Sequence, residues 1–237
     1  MATQQPNPNI PAQPVPFAYR LSNLEASLAG TGPVRIVAIG SSTTAGEGNI
    51  KPYPERLEAA LNGWLATNAR FKGRSVEVVK KGVSGQDAID ELARMQADVI
   101  DQQPALVIWQ VGTNAVWNGW DLYAIADAID DGLARLGREL PKTDFILMDM
   151  QYVPAIVTDD KIGLARRMEA LIGIAASRAS AQVNVFRRFD LERRWHEFEK
   201  ISFDRLVDPI DDSRLHQSDY CTERMMWALF AQIVGGI

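Results

Sequence analysis

The sequence predicts a three-layer α/β/α sandwich built on a five-stranded parallel sheet, and three observations point to it. From Val34 onward, short β-branched apolar runs alternate with longer amphipathic stretches, the pattern of repeated βα units. The longer stretches carry apolar residues at spacings of three and four, which puts them on one face of a helix. The connections between runs are short, so right-handed crossovers would stack helices on both faces of a single sheet.

The expected strands are residues 34–39, 75–79, 105–111, 143–150 and 183–186. Helical patterns fill the gaps at 54–67, 86–101, 122–140 and 160–179. The second of these is clear, because Ala88, Ile89, Leu92, Met95, Val99 and Ile100 fall on one face. A shorter helix is expected at 191–200 and a terminal one at 218–234. There is no internal repeat and no second linker, so the chain reads as one domain over 33–237. Residues 1–32 read as an extended arm, with five prolines among the first sixteen residues.

Composition narrows the function classes. The 237 residues are 46% apolar and 23% charged, with 25 basic and 30 acidic side chains and a net charge of −5. That balance is globular, and it excludes collagen-like, disordered and disulfide-scaffold chains. Basic residues occur in nothing longer than pairs such as Lys80-Lys81 and Arg187-Arg188, so a nucleic-acid partner is not expected. The apolar runs are too short to span a bilayer. One cysteine, Cys221, has no internal partner, and two histidines, His196 and His216, make no zinc-like cluster. No metal or other cofactor is expected. The first residues lack the charged start and apolar stretch of a secretory signal, while the Pro-rich arm tilts the expectation towards export.

In a doubly wound sheet, ligands gather where the loops after the first and third strands diverge. The loop after the first strand reads Gly40-Ser41-Ser42-Thr43-Thr44-Ala45-Gly46, and a serine on a strand-to-helix turn has an exposed hydroxyl with main-chain N–H groups nearby. The same residues could equally form a polar connecting loop with capping hydroxyls. Gly40, Gly46 and Gly48 fit neither the dinucleotide nor the Walker pattern. After the second strand comes Gly82-Val83-Ser84-Gly85-Gln86, and after the third Gly112-Thr113-Asn114. Before the last helix lies Asp211-Asp212-Ser213-Arg214-Leu215-His216. Histidine is the natural general base near neutrality. His216 is the better candidate, because His196 sits in a charged helical run. Trp109 reads as core and Cys221 as a small buried residue, while Trp117 and Trp120 either line a pocket or pack a loop.

These blocks, in this order, resemble the SGNH hydrolases, the GDSL esterase and lipase superfamily, from Val34 to Val234. The family's first block, G-D-S-x-T-x-G, is matched by residues 40–46, its second by 82–85 and its third, G-x-N, by 112–114. The resemblance implies a flavodoxin-like SGNH fold and a serine esterase acting on small acyl esters, with acetyl groups on a carbohydrate as the expected substrate. It implies Ser42 as nucleophile, His216 as base, and an oxyanion hole formed by the N–H groups of Ser42 and Gly85 with the Asn114 amide.

Three positions depart from the family pattern. Ser41 stands where the first block has aspartate, and Lys80 where the second has asparagine. The final motif, D-x-x-H, has Ser213 in place of its aspartate. Asp212 is the expected orienting acid, through a one-residue bulge; Asp211, or a Ser–His dyad without a carboxylate, is the alternative. Two other classes remain open on the residues. A flavodoxin-like module could hold a flavin phosphate on Ser41–Thr44, and a degenerate hydrolase could bind glycans without turnover.

Overall fold

The computed structural model describes residues 16–158 and 160–237. Of the expected arm, residues 1–15 lie outside the described residues. The rest of it is not extended, because helix α1 (Ser22–Ala29) lies within it and buries Leu24 and Leu28. Its first N–H groups are capped from far away: Asp144 accepts from Asn23 N at 3.0 Å and Leu24 N at 2.9 Å. The packed structure therefore begins before Pro33.

The elements continue as β1 (Val34–Gly40), α2 (Ser42–Ala45), α3 (Tyr53–Thr67), β2 (Val76–Gly82), α4 (Ala88–Asp98), β3 (Leu106–Gln110) and α5 (Thr113–Asn118). They end with α6 (Leu122–Glu139), β4 (Asp144–Met148), α7 (Ile162–Arg178), β5 (Val183–Phe186), α8 (Arg188–Glu197), α9 (Phe203–Leu206) and α10 (Asp219–Gly236). The five strands form one sheet in the order β2-β1-β3-β4-β5, with every pairing parallel.

Strand periodicity divides the core into two layers. Val37, Ile39, Val107, Trp109, Phe145 and Leu147 face a cluster that includes Met95, Ile129 and Ile172 of α4, α6 and α7. Ile36, Ala38, Leu106, Ile108, Ile146 and Met148 face Leu24, Leu57 and Leu229 of α1, α3 and α10. Both faces are covered, as the near-continuous apolar runs require.

The order places β1 between β2 and β3, so the loops after these three strands emerge side by side. Pairing continues to Gly40↔Gly82, three residues beyond the expected end of β2, because β1 supplies partners through Lys80 and Lys81. A Cβ on Gly82 would lie 2.1 Å from the Ala45 backbone nitrogen. That close approach seats α2, with Ser42 at its first position, against the end of the sheet.

Candidate active site

Ser42 opens α2 immediately after β1 and is 7% exposed. The first N–H groups of a helix have no intrahelical acceptor, so the Ser42 N–H is a free donor at that edge. Ser42 and His216 line the same narrow cleft, together with Gly46, Glu47 and Gln217. Gly85 sits at φ +81° in the loop after β2, backbone that a residue with a side chain rarely adopts. Asn114, at the second position of α5, is 4% exposed and donates from Nδ2 to the Gln86 carbonyl at 2.9 Å. That bond ties Asn114 to the residue after Gly85 and leaves the second amide hydrogen free.

The acid beside His216 is Asp211, not the expected Asp212. His216 Nδ1 lies 3.0 Å from Asp211 Oδ2. The same oxygen accepts from His216 N at 2.7 Å and Leu215 N at 2.9 Å. The other carboxylate oxygen accepts from Ser213 Oγ at 2.6 Å and Ser213 N at 3.0 Å. Asp212 is exposed, and its side chain joins none of the hydrogen bonds or ion pairs among the described residues. A turn makes the longer spacing work: the Arg214 N–H donates to the Asp211 carbonyl, and Arg214 itself is left-handed at φ 55°. Burial pushes the Asp211 carboxyl up, but the His216 N–H, the Ser213 hydroxyl and the His216 charge outweigh it and hold the pKa at about 2. Asp211 is therefore an ionised acceptor at neutral pH. It selects the tautomer with hydrogen on Nδ1 and leaves Nε2 free to take a proton.

Both neighbours of His216 are gripped by a buried polar network that sequence reasoning missed. Gln151, just beyond β4, donates to the Leu215 carbonyl and accepts from Arg188 at 2.8 Å and Thr43 Oγ1 at 3.2 Å. Gln217 donates to Glu192, which pairs with Arg188 at 2.7 Å, both charges being fully buried. Gln151 thus joins the residue after Ser42 to the residue before His216. Asp87 does the same for the other loops. Its carboxylate caps α4 through Ala88 N at 2.8 Å and accepts from Gly112 N at 3.0 Å and Ala115 N at 2.9 Å. Burial pushes the Asp87 carboxyl up, against the pull of those three N–H groups. The one sequence signal for Asp87 is its place three residues before Asp90 at a helix start, a capping box.

Several singled-out residues lie elsewhere. Lys80 pairs with Glu55 at 2.8 Å on an exposed face. His196 Nδ1 meets the Ile201 carbonyl at 2.9 Å, and its ring stacks on Phe203. Trp109 is core, with Nε1 2.6 Å from Glu91. Burial pushes the Cys221 thiol far up. The Ser41 side chain makes no capping hydrogen bond for α2, and Trp117 and Trp120 are not among the cleft-lining residues. Among the described residues, no group of three or more His, Cys, Asp or Glu could hold a metal ion, and no helix is long and apolar enough to cross a membrane.

Blocks so ordered along the carboxyl edge of this sheet place the protein in the SGNH hydrolase superfamily. Within it, the chain belongs to the non-GDSL lipase-like family, which matches residues 7–235. An acetylxylan esterase from Geobacillus stearothermophilus is 34% identical over 87 residues, 37% of this chain and 39% of that protein. The match thus spans about two fifths of that relative's length. Solved structures share the fold, the following two among them. A lipase/acylhydrolase from Enterococcus faecalis aligns with TM-score 0.67 at 16% identity, over 85% of this chain and 96% of that one. A catalytic mutant of Axe2, an acetylxylan esterase from Geobacillus stearothermophilus, aligns with TM-score 0.66 at 18% identity, over 86% and 96%.

Proposed function

We propose that this protein is a serine esterase that removes small acyl groups, acetyl foremost, from carbohydrate esters. The observation that carries the reading is Ser42, on the turn after β1, sharing a cleft with a histidine whose far nitrogen is held by an ionised aspartate. Ser42 Oγ attacks the acyl carbonyl while its proton passes to His216 Nε2. The carbonyl oxygen becomes an oxyanion facing the N–H groups of Ser42 and Gly85 and the Asn114 amide. Collapse breaks the ester C–O bond, and His216 returns the proton to the departing alcohol. Water then attacks the acyl-serine by the same route and releases the carboxylic acid.

Two further observations support a small acyl group on a sugar. The cleft beside Ser42 is small, about 20 Å³, which favours a short acyl group. The partial relative is called an acetylxylan esterase. A flavin-binding role would leave the His216–Asp211 pair without a purpose. The pair also removes the reason for reading the chain as a glycan binder without turnover, since a carboxylate reaches the imidazole from a different position. The test is release of acetate from 4-nitrophenyl acetate and from acetylated xylan oligosaccharides by the wild type, Ser42→Ala and His216→Ala. Loss of turnover in both variants is expected, and equal turnover in Ser42→Ala would overturn the proposal.

A further inference from the structure

We infer that Glu47 makes the cleft selective by charge, so that it takes esters of neutral or cationic alcohols and rejects those whose alcohol carries a carboxylate. The inference rests on the esterase reading above. Glu47 is the one acidic side chain among the residues that line the cleft with Ser42 and His216. It forms no ion pair among the described residues; the Ser84 hydroxyl donates to its Oε1. A neutral donor fixes the carboxylate in place without cancelling its charge.

The surroundings reinforce the sign. Asp208 Oδ2 lies 4.0 Å from the position a Cβ would take on Gly48, next to Glu47. Asp211 is ionised behind His216. No arginine lines the cleft; Arg56 pairs with Asp219, and Arg214 with Asp204 at 3.0 Å. Lys51 is exposed and does not line the cleft. Glu47 lines the cleft that holds Ser42 and His216, so in this proposal the alcohol of a bound ester comes within reach of its charge. A carboxylate roughly 7 Å from Glu47, at an effective dielectric between about 20 and 80, meets a repulsion of about threefold to fiftyfold in kcat/KM. An acetylated neutral sugar avoids that repulsion, whereas an acetylated uronic acid does not.

The test compares three aryl acetates that differ in the para group: 4-acetoxybenzoate, its methyl ester and 4-(trimethylammonio)phenyl acetate. The readout is the ratio of kcat/KM for each charged ester to that for the neutral one, so effects common to all three cancel. Glu47→Gln keeps an acceptor for Ser84 and removes the charge. It should raise the anionic ratio at least about threefold and lower the cationic ratio by a similar factor, while 0.5 M NaCl shrinks the difference in the wild type. Glu47→Asp keeps the charge and should keep the wild-type order of the two ratios. If Glu47→Gln leaves the ratios unmoved, or Glu47→Asp shifts them as far as Glu47→Gln does, charge selection is wrong although the esterase reading stands. Absence of Ser42-dependent release from the neutral methyl ester would overturn both.

Discussion

Exchanging the two adjacent aspartates for asparagine, one at a time, separates the observed geometry from the spacing rule of the wider family. In Asp211→Asn the charge that fixes the imidazole tautomer is gone, and the new amide can donate to Nδ1, leaving hydrogen on Nε2 where the base must be free. Loss of the orienting carboxylate in a serine triad costs about 10⁴-fold in kcat, and a fall of 10²–10⁴-fold with little change in KM is expected here. Stability carries a second signature. The folded carboxyl titrates at about 2 against an ordinary 3.8. Because the folded value is depressed, its contribution is full above pH 4 and is lost as pH falls towards 2. At roughly 1.4 kcal/mol per unit, that is at most about 2–3 kcal/mol, for a side chain that is 15% exposed. Asp211→Asn should therefore unfold at lower urea concentration at pH 7 and lose part of its acid sensitivity between pH 4 and 2. Asp212→Asn should stay within threefold of wild type in kcat and keep its stability. Steady-state kinetics on 4-nitrophenyl acetate and urea melts at pH 7, 4 and 3 give both answers. A larger kcat loss in Asp212→Asn than in Asp211→Asn would refute the reasoning.

Two further outcomes follow from buried charge. Asp149, fully buried with one oxygen on Phe189 N at 2.9 Å, is pushed up to about 8 by burial, against the pull of the Phe189 N–H and of Arg187. A carboxyl raised in the folded state stabilises below pH 4 and loses that contribution as pH climbs to about 8, so Asp149→Asn should flatten the fall in urea stability between pH 5 and 8; an unchanged slope would contradict it. Arg188→Met or Glu192→Leu alone strands a buried charge and should cost about 3–5 kcal/mol, while the double variant recovers much of it. Chemical denaturation of all three checks this, and additive losses would contradict it.

The layers of the fold were legible because both sheet faces are covered: the strands read as apolar runs and α4 and α6 as periodic faces. β5 was read at its observed bounds, 183–186. What escaped depended on partners distant in the chain. Helix α1 was missed because its N-terminal cap is Asp144, about 120 residues away, and Leu21 N is tied to the Gly236 carbonyl at 2.9 Å. The end of β2 looked like a charged loop until β1 supplied its hydrogen bonds. At the site, Ser42, Gly85, Asn114 and His216 stood out because each follows a strand or precedes a helix in a recognisable block. Asp211 could not be chosen over Asp212 from spacing, since a left-handed turn at Arg214 decides which carboxylate curls back. Gln151, Arg188 and Glu192 looked like ordinary polar residues, and only burial shows what they hold.

The same device recurs under the loops that carry Asn114 and His216 and beside Gln151. A carboxylate turns towards main-chain N–H groups of the site and holds them: Asp87 takes Gly112 and Ala115, Asp211 takes Leu215 and His216, and Glu192 takes Tyr152 N at 2.7 Å beside Gln151. Loops held only by turn residues would leave Asn114 and His216 free to swing, and an oxyanion hole is effective only when its donors are aimed before the charge develops. Desolvating such carboxylates has a cost, visible in the raised pKa of Asp87 and Glu192, where burial outweighs every favourable contact. Folding meets that cost once, and each turnover then starts from loops already in place. Ser41, where the superfamily's first block has an aspartate, fits the same logic: with Gln151 bridging Thr43 and Leu215, the nucleophile turn is tied to the histidine loop without a first-block carboxylate.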